Sequence, residues 1–161
     1  MSDWDGRMMG LAKTVAQWSK DPSTKVGCVI VDDKHRVVSI GFNGLPRGIP
    51  DKGLEDREYK YARVVHAELN ALLFARGSVE GCTMYVWPMP PCSRCAGPII
   101  QAGILRVVSP PPGERWKESC EVGEQMFRQV WIDIAEIEDE DSRILQRLSD
   151  EKVSGALHPK G

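Results

Sequence analysis

The sequence predicts a three-layer α/β/α domain around a five-stranded mixed sheet, and three features of the chain carry that expectation. Short apolar, β-branched runs recur along it, and segments with apolar residues three and four apart alternate with them. The first two runs are separated only by the turn Asp32-Asp33-Lys34-His35, so they pair as an antiparallel hairpin. Later runs are joined by helical segments, which makes the sheet mixed. With 161 residues, 42% of them hydrophobic, the chain can bury most of its apolar surface in one domain without staples.

Trp4, Met8, Leu11, Ala12, Val15 and Trp18 mark an amphipathic helix that should end near Ser19. Asp21 to Lys25 is a polar loop, and Val26 to Val31 follows as a strand buried on both faces. Arg36 to Phe42 is its hairpin partner, left through the glycine-rich turn Gly41 to Gly48. Ile49 to Arg63 is charged and lacks a clean period, so it reads as a loop with a helical turn around Glu58 to Ala62. Arg57, Lys60 and Arg63 in it read as a solvated face. A second helix begins near His66, turns Leu69, Leu72 and Leu73 inward and stops at Gly77. The strand Thr83 to Trp87 comes next, and Pro88, Pro90 and Pro91 then forbid regular structure until a helix starts after Cys92 and runs to Gly103. Leu105 to Val108 is another buried strand, Pro110 to Gly113 a stiff connector, and Glu114 to Gln129 a helix. Val130 to Ile137 is the last strand. Residues 1–137 form the domain. Residues 138–161 form an acidic tail with one short helix around Ile144, Leu145 and Leu148, loosely held or used in oligomer contacts.

A formal charge of -2, from 21 Lys+Arg against 23 Asp+Glu, gives no electrostatic footprint for long nucleic acid and favours a small-molecule substrate. No apolar stretch reaches the roughly 18 residues of a membrane span, and the acidic, polar start is unlike a secretion signal, so a cytoplasmic protein is expected. The odd cysteine count argues against a disulfide framework. Cys28, Cys82 and Cys120 read as small buried residues.

The remaining two cysteines belong to a different pattern. Val65-His66-Ala67-Glu68 and the later Pro91-Cys92-Ser93-Arg94-Cys95 hold three zinc donors and one carboxylate that need not be a ligand. A structural zinc site closes four positions with protein atoms, whereas a catalytic one binds through three and keeps the fourth for water. His66, Cys92 and Cys95 are therefore the candidate ligands of one catalytic Zn2+ per chain. On a regular helix His66 and Glu68 would lie about 200° apart, so the ion must sit off the helix N-terminus, where free N–H groups and the dipole favour anions. Cys92 and Cys95, at i and i+3, share a face in the opening turn of the next helix. Zinc lowers the pKa of bound water from about 15.7 to about 7. Glu68, beside that water, is the candidate to accept its proton and deliver it to substrate, provided burial keeps its own pKa high. A structural zinc knuckle would want a fourth protein ligand, and a redox Cys-x-x-Cys has no need of the preceding His-Ala-Glu. His35, in a charged turn, and His158, in the tail, read as exposed rather than as that fourth ligand.

His-x-Glu with Pro-Cys-x-x-Cys is the mark of zinc-dependent nucleobase deaminases. Asp21-Pro22-Ser23-Thr24-Lys25-Val26-Gly27, Gly41-Phe42-Asn43-Gly44, His66-Ala67-Glu68-Leu69-Asn70-Ala71 and Cys92-Ser93-Arg94-Cys95-Ala96 stand in one order, and together they resemble the deoxycytidylate (dCMP) deaminase family. The likeness runs from Trp4 to Val108. It implies a cytidine-deaminase-like fold, hydrolysis of dCMP to dUMP and ammonia, and a homo-oligomer, dimer to hexamer. It also implies that the first loop holds the 5′-phosphate through Lys25 and the hydroxyl of Ser23 or Thr24, that Asn43 contacts the sugar, and that Ala67 lines the base pocket. Phe42 stands where the family has Tyr, Trp87 to Pro91 replaces a Thr-containing approach to the first Cys, and Ser109 to Trp116 lacks the family's tyrosines, with Trp116 placed to fill that space. Deamination of another cytosine-like base, nucleoside or modified nucleotide is the alternative, and a non-catalytic zinc-stabilised nucleotide-binding protein the more remote one.

Overall fold

In this computed structural model, which describes residues 2–156, the chain runs α1 (Asp3–Ala16), β1 (Gly27–Val31), β2 (Val37–Phe42), α2 (Arg57–Tyr61), α3 (Ala67–Phe74), β3 (Thr83–Trp87), α4 (Ser93–Gln101), β4 (Arg106–Ser109), α5 (Lys117–Gln129), β5 (Asp133–Glu136) and α6 (Glu140–Ala156). A 3-10 turn, Glu114–Trp116, leads into α5. His158 lies outside the described residues, with the rest of 157–161.

The five strands form one sheet in the order β2-β1-β3-β4-β5. β1 pairs antiparallel with β2 and β3, and β4 pairs parallel with β3 and β5, so the sheet is mixed as expected. The period of two in the strands builds the layers. Val29, Val31, Tyr85 and Trp87 pack against Met8, Met9, Ala12 and Val15 of α1. Their neighbours Cys28, Ile30, Met84 and Val86 face the other way, onto Ala67 and Ala71 of α3, Ala96 and Ile99 of α4 and Phe127 of α5. β1 is buried throughout, as a strand covered on both faces must be.

Two glycines set how closely the helices approach. A Cβ on Gly27 would stand 2.0 Å from the Ala12 carbonyl oxygen of α1, and one on Gly41 would stand 2.4 Å from both the Ala67 oxygen and the Ala71 nitrogen of α3. Helix and strand backbones meet there with no side chain between them. Ser39 adds a bond from its Oγ to the Ala71 oxygen at 2.6 Å, and Asn70 Nδ2 reaches the Phe42 oxygen at 2.8 Å, so α3 is tied along β2.

Several boundaries differ from expectation. The first helix stops at Ala16, not near Ser19, because Ser19 is drawn inward to donate its hydroxyl to the Asn43 oxygen at 2.8 Å. In the charged stretch before His66, the expected helical turn forms as α2, which Asp56 caps by accepting from the Tyr59 N–H at 2.9 Å. The last strand begins at Asp133, since Val130 still caps α5 and Trp131 turns the chain with φ 63°. The tail carries a 17-residue helix, longer than the short one expected. Its attachments are polar: Ser142 Oγ and Gln146 Nε2 both donate to the Pro88 oxygen, and Asp150 accepts from the N–H groups of Glu114 and Arg115. Among the described residues no helix is long and apolar enough to cross a membrane, and all five cysteines are free, with Cys28, Cys82 and Cys120 buried.

Candidate metal and active site

Two helix starts converge on one point. His66 is the N-cap of α3 and Cys92 the N-cap of α4, both with extended backbone, and neither side chain caps its own helix. A ring nitrogen and a sulfur are thereby left for another partner. Cys95, in the first turn of α4, is fully buried beside them. His66 Nδ1 stands 3.4 Å from Cys92 Sγ and 3.2 Å from Cys95 Sγ, and the three donor atoms all lie within 4.8 Å of one another. A tetrahedral zinc ion, with Zn–S near 2.3 Å and Zn–N near 2.0–2.1 Å, spaces its donors by roughly 3.5–3.8 Å. The two nitrogen–sulfur distances fit one such ion with movements of a few tenths of an ångström. Among the described residues no fourth His, Cys or carboxylate joins the group, which leaves one coordination position open.

The donors perturb one another in the sense a metal exploits. A hydrogen bond from Cys95, together with His66, holds the Cys92 thiol down to about 4, against the opposing effect of burial. The same bond and burial push the Cys95 thiol far up. Both sulfurs bind a cation as thiolates, so metal binding releases protons. His66 is raised, chiefly by its bond to Cys92. Glu68, only 4% exposed, has its carboxyl pushed up to about 7 by burial.

A cavity of about 290 Å³ opens over this group, and Thr24, Val26, Asn43, Ala67, Glu68, Met89, Pro90 and Trp116 line it with His66 and Cys92. Thr24, Asn43, Ala67 and Glu68 are brought together as the sequence reading expects. The amide of Asn43 also knits the first loop: its Oδ1 accepts from the Val26 N–H at 2.9 Å and its Nδ2 donates to the Thr24 oxygen at 2.8 Å. Lys25 is not among the lining residues. Its Nζ donates to the Ser19 oxygen at 2.7 Å, and it faces a neighbouring cavity of about 250 Å³. Arg47 lies over the Phe74 ring and is not among the residues that line the cavity. His35 stacks on Trp4 with ring centroids 4.7 Å apart and is no part of the metal group.

Lys60 corrects the sequence reading. It was expected in a solvated basic cluster, yet it is 6% exposed, lines the cavity and pairs with Asp21. The sequence held half the signal, an aspartate in the polar loop, but the 39-residue separation hid the pairing. Trp116 does fill the wall it was expected to fill, edge-on to Tyr61 at 6.2 Å. Phe42, at the position where the family has Tyr, packs edge-on against Trp18.

Residues 2–109 match the family described as the cytidine and deoxycytidylate deaminase zinc-binding region. The chain belongs to this family. Over 140 residues, 83% of this chain and 93% of the relative, it is 45% identical to an uncharacterized deaminase in the luxG 3′ region of Aliivibrio fischeri. It is 43% identical to the deoxycytidylate deaminase of Homo sapiens over 114 residues, which are 66% of this chain and 64% of that enzyme. The fold is shared with the crystal structure of dCMP deaminase from the cyanophage S-TIM5 in complex with dCMP and dUMP: TM-score 0.72, 25% identity, 85% of this chain and 99% of that one. Trp116 and Ser119, which also line the cavity, lie beyond the matched family region.

Proposed function

We propose that this deaminase converts dCMP and water to dUMP and ammonia, with His66, Cys92 and Cys95 holding zinc and Glu68 moving the protons. The observation that carries the reading is the buried Glu68 carboxyl standing beside an open three-donor metal site, in a cavity of nucleotide dimensions. The named deoxycytidylate deaminases at 43% identity support dCMP as the substrate. Zinc, when bound, supplies Lewis acidity that makes water a nucleophile at neutral pH.

Glu68 takes up a proton from the attacking water and delivers it to N3 of the cytosine ring. Once the C4–O bond has formed, the same carboxyl takes the remaining proton of the C4 hydroxyl and hands it to N4, so that the C4–N4 bond breaks, C4 becomes a carbonyl and ammonia leaves. A pKa near 7 suits both directions of transfer. Ala67, without bulk, gives the base room against the start of α3, Asn43 and Thr24 face the sugar and phosphate, and Met89, Pro90 and Trp116 exclude water from the other side.

The reading includes self-association, supported by the exposed apolar side chains of Leu73, Leu105 and Trp131, the last 92% exposed. It also includes a reducing, cytoplasmic setting, supported by five free thiols. Ammonia release measured on dCMP, CMP, dCTP, deoxycytidine, cytosine and guanine tests the substrate. dCMP is expected to be turned over fastest, and equal rates with and without the phosphate would exclude a nucleotide deaminase.

A further inference from the structure

Lys60 is a lysine that the fold takes out of water. Its Nζ donates to Asp21 Oδ1 at 3.1 Å and to Ser23 Oγ at 2.5 Å. Asp21 does not require it, because the same Oδ1 already accepts from the Ser23 N–H, the Ser23 hydroxyl and the Thr24 N–H at 2.9 to 3.0 Å. Burying a lysine–carboxylate pair costs the hydration of both charges, and an apolar side chain of similar volume usually fills such a place as well or better. A purely structural role therefore gives a weak reason for a cation here. An ammonium has three N–H groups, two are spent on the loop, and the side chain lines the same cavity as Glu68 and His66.

We propose that Lys60 is the cation that recognises the 5′-phosphate, and that it sets the preference for a nucleoside monophosphate over the bare nucleoside. This rests on the reading of the cavity as a nucleotide deaminase site. The base must present its amino-bearing carbon to Glu68 and the metal donors, so the phosphate needs a cation held elsewhere. Arg94 also lines the cavity, but it stands next to Cys95 in the chain, at the metal end, and is exposed. Lys25, in the same loop as Thr24, lines the neighbouring cavity instead. Lys60 is bonded to the Asp21-to-Thr24 loop, not to the helix starts that carry the donors, and Thr24 lines the wall beside it. An ammonium already desolvated and held in place forms a charge-assisted bond to phosphate without first losing its own water.

The experiment compares dCMP with deoxycytidine on zinc-loaded protein. Lys60→Gln, which keeps a donor for Asp21, should raise the KM for dCMP about tenfold or more, leave kcat within a few-fold, and leave kcat/KM for deoxycytidine unchanged. Zinc content and the unfolding temperature are read alongside. Inorganic phosphate probes the unsubstituted protein directly: it should compete with dCMP but not with deoxycytidine, and Lys60→Gln should abolish the inhibition. An unchanged KM for dCMP, an equal loss on both substrates, phosphate that competes with neither, or the KM shift appearing in Lys25→Gln instead would each overturn the assignment. Inactivity of the unsubstituted chain on every cytosine compound would overturn the deaminase reading itself, and phosphate binding measured by calorimetry would still report separately on Lys60.

Discussion

Glu68 illustrates how position, more than residue type, makes a proton carrier. Buried at the start of α3 with its carboxyl at about 7, it stands beside the metal donors without joining them. Glu68→Gln keeps the size and removes the titrating group, so turnover should fall by about 10²- to 10⁴-fold, the usual range for a general acid–base. Metal analysis should still find about one zinc per chain by the three-ligand argument. Loss of zinc from that variant would mean that the carboxylate is a ligand. A second buried carboxylate serves stability instead. Asp5, 1% exposed, is held by a two-pronged Arg106 at 2.7 and 3.0 Å and by the Tyr85 hydroxyl at 2.7 Å, and the Arg106 bond keeps its pKa well below the usual carboxylate range. Its folded pKa is depressed, so its contribution is complete above the ordinary value of 3.8 and is lost only as pH falls through the lower folded value. Arg106→Gln should therefore move the acid-unfolding midpoint to higher pH, measured by circular dichroism, and an unchanged midpoint would remove Asp5 from the account. The contrast with Lys60 shows what sequence can reveal at this scale. Glu68 announced itself through its spacing from His66, while Lys60 sat among Arg57 and Arg63 and looked solvated until Asp21 was folded against it.

At the level of elements, the helices that carry the donors are placed by backbone contacts. Gly41 lets α3 lie directly on β2, and a Cβ there would strike the Ala67 oxygen and the Ala71 nitrogen, in the helix whose first turn bears Glu68. Gly27 makes the same kind of contact with α1, which bears no site residue. Gly41→Ala and Gly27→Ala should both lower stability by about 1–3 kcal/mol, the usual cost of overpacking. Only Gly41→Ala should also weaken zinc binding, read by competition with a chromophoric chelator. Equal zinc affinity in the two variants would show that α3 shifts without carrying its N-terminus along. The sheet strands and the four longer helices of the domain were legible because their apolar periods match their geometry. α6 was legible only in part. Its apolar Ile144, Leu145 and Leu148 are exposed, while Ser142, Gln146 and Asp150 do the fastening, and polar residues that bond loop carbonyls and N–H groups carry no periodic signature.

Across the whole molecule, the metal joins parts that the chain order keeps separate. His66 enters α3 after the hairpin of β1 and β2, whereas Cys92 and Cys95 open α4 after β3, and these helices share one face of the sheet. The sheet could be foreseen as mixed, and its order is the one in which β1 and β3, covered on both faces, stand inside β2. That order sets two helix N-termini side by side, which is why a spacing unsuited to one helix flank still makes a single site. Among the described residues no backbone hydrogen bond joins the two helix starts, so zinc, when bound, should act as a cross-link that exists only in the folded state. Free zinc at a thousand times its Kd stabilises the fold by about 4 kcal/mol, and a chain of this length gains roughly 2–4 °C per kcal/mol. Removing zinc with a chelator should then lower the unfolding temperature by roughly 8–16 °C. Readdition should restore it, with the midpoint rising as free zinc rises. The effect should weaken as pH falls, because His66, raised from its usual value, must be neutral and Cys95 must lose its proton before both can bind. A midpoint that ignores zinc concentration would show that the two helix starts are held together by packing alone.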